Sequence, residues 1–118
     1  MSFESPYLFA ASMDVEPAKE ALFNEVYDTE HVPMLVRVPG VISIARFKAQ
    51  EFSWILSGQR RTVGVGNEPR YTALYELASP EVLSSEAWAQ AVERGRWPGE
   101  VRPHTTNRRH MLYRRLAP

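Results

Sequence analysis

The chain has 118 residues, the size of one domain, so residues 1–118 are read as a single unit. Its 44% hydrophobic and 24% charged residues match an ordinary globular chain and exclude a disordered or collagen-like one. Fourteen Lys+Arg balance fourteen Asp+Glu, so no net field would hold the chain on nucleic acid or an anionic membrane, and the absence of Cys excludes disulfides, thiolate catalysis and thiolate-bound metals. The first residues lack the basic start of a secretory leader, and no apolar run reaches the roughly 18–20 residues of a membrane span. The expected address is cytoplasmic. The charge is unevenly placed: residues 1–40 carry seven acids against two bases, and residues 101–118 carry five arginines and no acid. Opposite signs at the two ends favour their meeting, within one chain or across a dimer.

In chain order, Pro6 to Met13 is short, apolar and aromatic and reads as a strand whose one face carries Tyr7, Phe9, Ala11 and Met13. Glu16-Pro17 opens a helix predicted over 17–29, with Ala18, Ala21, Leu22 and Val26 at helical spacing. Pro33 predicts a break near Glu30–His31 and a second short helical piece through Met34, Leu35 and Val36. Gly40 to Ala49 is rich in β-branched residues and reads as a second strand. From 51 to 68 the pattern fails, and a connection of that length predicts an inserted flap or hairpin built from Phe52, Trp54, Ile55 and Leu56 that can cover a neighbouring pocket. Gly64-Val65-Gly66-Asn67 lacks the residues of a phosphate-binding loop.

Residues 69–77 alternate cleanly, Tyr71, Ala73, Tyr75 and Leu77 against Arg70, Thr72, Leu74 and Glu76, as a third strand does. Ser79-Pro80-Glu81 starts a second helix that Gly95 ends, and Arg108 to Leu116 reads as a closing strand. The order is βαββαβ, the ferredoxin-like α+β pattern, a four-stranded antiparallel sheet with two helices on one face. The reading places the Tyr7 and Tyr71 rows on the helix-free face and Leu74 toward the helices. So large an apolar patch predicts a homodimer with two sheets face to face.

Tyr27-Asp28-x-Glu30-His31-Val32-Pro33, Val38-Pro39-Gly40-Val41 before a strand with Arg46-Phe47, Pro69-Arg70-Tyr71, Ser85-x-x-Trp88, Asn107 and Tyr113 together resemble the EthD-like proteins of the dimeric α+β-barrel superfamily. The resemblance spans nearly the whole chain except 51–68. It implies a small cytoplasmic dimeric barrel and a ligand that is apolar and cyclic or aromatic. The chemistry of that superfamily includes isomerases, cofactor-free monooxygenases, cyclases and haem-handling enzymes, and fold alone does not choose among them.

His31 lies between an acidic turn and a helix-breaking Pro. It is either a general base that titrates in the useful range, with Asp28 or Glu30 fixing its tautomer, or a hydrogen-bonding cap on a broken helix. Tyr27 precedes it by one helical turn, and Tyr71 and Tyr75 share a strand face, where they either line a cavity or pack the core or a dimer. Arg46 stands alone in an apolar strand and must meet water or an anion, either a ligand oxyanion or Glu76. Trp88 and Trp97 are candidate pocket walls or simply core. His104 and His110 lie in an Arg-rich stretch, and three His without ligand spacing predict no metal site. The favoured reading is therefore a barrel that binds, and converts without a cofactor, an aromatic or cyclic metabolite, with His31 and Arg46 catalytic and Tyr27, Tyr71, Tyr75, Trp88 and Trp97 around the ligand. The rivals are a non-catalytic binding or accessory barrel and a haem-binding barrel, for which only His31 offers an axial ligand.

Overall fold

A computed structural model describes residues 5–118; Glu4 of the N-terminal acidic count and the first residues of the leader reading lie outside them. The strands are β1 (Tyr7–Val15), β2 (Val41–Lys48), β3 (Phe52–Leu56), β4 (Gln59–Val63), β5 (Tyr71–Leu77) and β6 (Thr105–Arg114). Four of them form an antiparallel sheet in the order β2-β5-β1-β6, while β3 and β4 pair only with each other. With both connecting helical segments packed against one face, this is the ferredoxin-like α+β architecture. No helix among the described residues is long and apolar enough to cross a membrane.

The first helical segment is continuous where a break was expected. A 3-10 turn (Pro17–Lys19) leads into α1 (Glu20–Val26), a π turn (Tyr27–His31) and α2 (Val32–Leu35). Pro33 has no N–H to give the carbonyl of Thr29, and the wider π turn just before it absorbs the mismatch without ending the helix. The second segment is more broken than its apolar spacing suggests. A 3-10 turn (Pro80–Ser84) stops at an extended Ser85, whose hydroxyl caps α3 (Glu86–Ala91) by accepting from the Trp88 N–H at 3.2 Å. A second π turn, Trp97–Val101, then leads to β6.

The sheet faces are the reverse of the sequence reading. Ala11, Met13, Tyr71, Ala73, Tyr75 and Leu77 form one core with Phe23, Val26, Tyr27, Leu35 and Trp97, so the aromatic rows look at the helices. A period-two pattern fixes which residues share a face but not which face the helices cover. Here the helices bring their own rings: Phe23 lies 4.9 Å from Tyr71 and Trp88 lies 5.5 Å from Tyr75, centroid to centroid, so the bulkiest rows bury the most area. Leu74, paired with Ala10 and Ala45, therefore lies on the helix-free face, and strand alternation puts Leu8, Phe47, Met111 and Tyr113 there with it. Glu76 is buried on that face and accepts from Ser5 at 3.1 Å and Ser43 at 2.5 Å.

The 51–68 insertion is a hairpin, as expected. Ser57 (φ 52°) and Gly58 (φ 76°) close it as a two-residue loop with both central residues left-handed, the geometry that matches strand twist. Phe52, Trp54, Leu56 and Val63 line one side of this ribbon and are exposed. The arm extends the β2–β5 pair past its last bond, Ala49 N–H to the Arg70 carbonyl at 2.7 Å. It helps bring the radius of gyration to 16.0 Å, above the about 13–14 Å of a compact chain this long.

Candidate functional site

The π turn Tyr27–His31 points two side chains inward, and both are buried. From the same turn, Glu30 accepts from the Arg96 backbone N–H at 2.9 Å and pairs with the Arg96 guanidinium at 2.6 Å. That clamp sets the next residue, Trp97, flat against His31, with ring centroids 4.3 Å apart and planes 21° from parallel. Tyr27 meets the same two rings edge-on, each at 5.0 Å. Gly95 makes the clamp fit: its φ is +69°, and a Cβ there would lie 2.5 Å from the Glu30 carboxylate.

Behind these rings lies a cavity of about 200 Å³ between the helices and the β1–β6 half of the sheet. Phe9, Tyr75, Trp88 and Trp97 give it aromatic walls, His31 lies on the helix side, and Arg102, Arg108 and His110 line the β6 side. Phe9 links the two halves, edge-on to Trp88 at 6.0 Å and stacked on His110 at 5.9 Å. Such a volume is below the roughly 300–1,000 Å³ of sites for drug-sized ligands and suits one or two rings.

Burial, helped by the Arg102 cation, lowers the His31 pKa to about 4, so the ring is neutral at physiological pH. Its Nδ1 is buried without a hydrogen-bond partner, which leaves Nε2 as the nitrogen that can meet a ligand. The acids expected to hold it are engaged elsewhere, Asp28 on Arg46 at 2.7 Å and Glu30 on Arg96. His31 therefore neither caps a helix end with a side-chain bond nor titrates near neutrality. Burial likewise raises Tyr27 and Tyr75, whose hydroxyls lie 3.4 Å apart, so both phenols stay protonated. His110 is held below its usual value by burial and by Arg108.

The structure brings together five of the seven residues expected at the site: Tyr27, His31, Tyr75, Trp88 and Trp97. Arg46 and Tyr71 do not line this cavity. Arg46 sits on the far side of Tyr27, 4.5 Å from the ring centroid, bonded to Asp28 and Asn24 rather than to Glu76. Tyr71 donates to Glu20 at 2.5 Å. The sequence reading missed Phe9, Arg102 and Arg108 as cavity residues, and set His110 in an Arg-rich stretch without placing it at the site. The visible signal was Arg108-x-His110 on one strand face of an acid-free tail.

Among the described residues no group of three or more His, Asp or Glu is placed to hold a metal. Nor do the residues present fit a haem. The cavity is smaller than a tetrapyrrole needs, and His31 is stacked against Trp97 with one nitrogen sealed.

No family model matches the sequence, and no curated protein matches it at a significant level. Solved structures do match over nearly the full length of both chains. The haem degrader MhuD from Mycobacterium tuberculosis, solved with two haems in its active site, is 14% identical, with 96% of this chain and 98% of that one covered and a TM-score of 0.60. An EthD-family protein from Bacillus halodurans is 11% identical over 93% and 99%, with a TM-score of 0.58. HapK from Hahella chejuensis is 9% identical over 95% and 94%, with a TM-score of 0.62. The chain thus has the ferredoxin-like α+β fold that EthD-family proteins share, the fold its motifs resemble.

Proposed function

We propose that the protein is a homodimeric barrel that binds a cyclic or aromatic small molecule of one or two rings in the His31–Trp97 cavity. The observation that carries this reading is an aromatic box of Phe9, Tyr75, Trp88 and Trp97 with a neutral imidazole at its wall. Stacking and area burial hold a ring there, and Nε2 of His31 gives or takes one hydrogen bond to a ligand oxygen. That MhuD, which has this fold, was solved with haem in its active site supports a small-molecule role for the architecture.

A side chain whose pKa has fallen to about 4 is a weak base at rest, since the best catalytic base titrates near the working pH. In this reading His31 first orients a phenol or enol oxygen. It gains basicity only when an anionic ligand sits beside it and stabilises the imidazolium. Binding is thus the primary function and proton abstraction a consequence of it. The second copy covers the helix-free face, where Leu74, Ala10, Ala45, Phe47 and Met111 form an apolar sheet surface.

The test is calorimetric titration of one- and two-ring phenols and quinones into the protein, into Trp97→Leu and into His31→Ala. Saturable binding with one site per chain is expected. Trp97→Leu should weaken it about ten-fold or more and His31→Ala should change its pH profile. Binding that neither variant alters overturns the reading. A Soret band formed at one haem per chain, lost in His31→Ala, overturns the ligand size and favours the haem-binding alternative.

A further inference from the structure

The register of β6 contains one irregularity. Thr105 and Thr106 pair with Val15 and Asp14, and Arg109 pairs with Ser12, so Asn107 and Arg108 together stand opposite Met13. This is a β-bulge, and Asn107 takes the left-handed conformation, φ 50°, that such bulges use. Two fixed bonds hold it there, Asn107 Nδ2 to Asp14 Oδ2 at 3.0 Å and to the Asn67 carbonyl at 2.8 Å.

The bulge changes which way the strand's side chains point. Thr105 is buried on the helix side; plain alternation from it would send Asn107 to the helix side and Arg108 to the helix-free face. The extra residue inverts the alternation, so Arg108 joins His110 on the helix side at the rim of the cavity, and Arg109 turns away to pair with Glu68 at 3.7 Å.

The charges around the cavity are one-sided. Its lining contains Arg102 and Arg108 and no Asp or Glu. Arg102 is already neutralised, its guanidinium donating to both oxygens of Glu93 at 3.1 and 2.9 Å and to the Val92 carbonyl at 2.8 Å. Arg108 has no ion pair and no side-chain hydrogen bond with any described residue. The imidazoles of His31 and His110 are held low first by burial and then by the arginine beside each, Arg102 and Arg108.

We infer that Arg108 is the anion anchor of this cavity and that its ligand is an aromatic carboxylate, ring in the box and carboxylate on the guanidinium. The inference rests on the cavity reading above and adds the ligand's charge to it. A planar guanidinium meets a carboxylate by two parallel N–H···O bonds, which fixes the ligand's orientation as well as its charge. The carboxylate then lies near His110, and the ring's far edge points toward His31 across the box.

The probes are 1-naphthoate and its isosteric amide, 1-naphthamide, titrated at low and high salt. The wild-type protein should bind naphthoate at least about ten-fold tighter than naphthamide, with the gap narrowing as salt rises. Arg108→Met should abolish that preference, so that naphthoate and naphthamide bind the variant equally. Arg108→Lys should keep part of the preference, and Arg109→Met, on the other face, all of it. Equal affinities in the wild type, or a preference that survives Arg108→Met, overturns the assignment while the cavity reading stands. If neither probe binds, the cavity reading falls and the assignment falls with it.

Discussion

Burial of His31 ties the stability of the fold to pH. An unfolded His has a pKa of about 6.5, and in the fold it is near 4, so between those values the unfolded chain holds a proton that the folded one refuses. Above pH 6.5 both states are neutral and the group contributes no slope. As pH falls through the window, stability should drop by about 3 kcal/mol on account of this residue alone. Urea unfolding at pH 7.5 and 4.5 should show that drop in the wild type and a flatter profile in His31→Phe; parallel profiles would mean that the ring is hydrated in solution. At Gly95, Ala would bring both a left-handed penalty of about 1–2 kcal/mol and a collision with the Glu30 carboxylate. Gly95→Ala should therefore loosen Trp97 as well as destabilise the fold, seen as a shift in tryptophan emission together with a lower urea midpoint.

At the scale of elements, Ser85 is the one helix N-cap with a side-chain bond among the described residues, and Ser85→Ala should cost about 1 kcal/mol by urea unfolding. An unchanged midpoint would show that the Pro80–Ser84 turn positions α3 without it. The sequence made the elements readable, because β-branched runs, Pro-led starts and Gly stops are local signals. The 51–68 excursion was legible differently, from its length and from Phe52, Trp54, Ile55 and Leu56 within it, which left flap and hairpin both open. Two features were not legible. The π turn at Tyr27–His31 depends on how Pro33 is accommodated, and the bulge at Asn107 depends on Asp14 and Asn67, 93 and 40 residues away in sequence. Both features set the cavity, so the candidate site was harder to read than the fold.

For the whole molecule, the reversed faces change which substitutions separate folding from assembly. Tyr75 is a core residue, and Tyr75→Ser should cost about 3 kcal/mol or more of fold stability, the range of large-to-small core changes. Leu74→Arg, on the helix-free face, should leave the fold intact and convert the proposed dimer to a species of 13.5 kDa by light scattering. If Leu74→Arg remains at twice that mass, the two sheets do not meet through this face. Tyr27 and His31 stand out in the Tyr27–Pro33 motif, but nothing local in the sequence joins them to Trp97, and the position of Arg46 follows from the same ambiguity as the faces. An arginine on a strand reaches whichever carboxylate the fold puts nearest, and here that is Asp28 on the adjoining helix.

The β3–β4 arm has a bearing on how the protein tolerates change. Its backbone ladder closes on itself, it shares no core with the four-stranded sheet, and a two-stranded ribbon by itself is marginal in water. It should open and reclose as its own unit, with amide exchange in 52–63 far faster than in β5. The Ser57-Gly58 tip is then the natural point for grafting a peptide, a fluorophore or a second domain, since the ends of the ribbon stay joined by the Ala49–Arg70 bond whatever the tip carries.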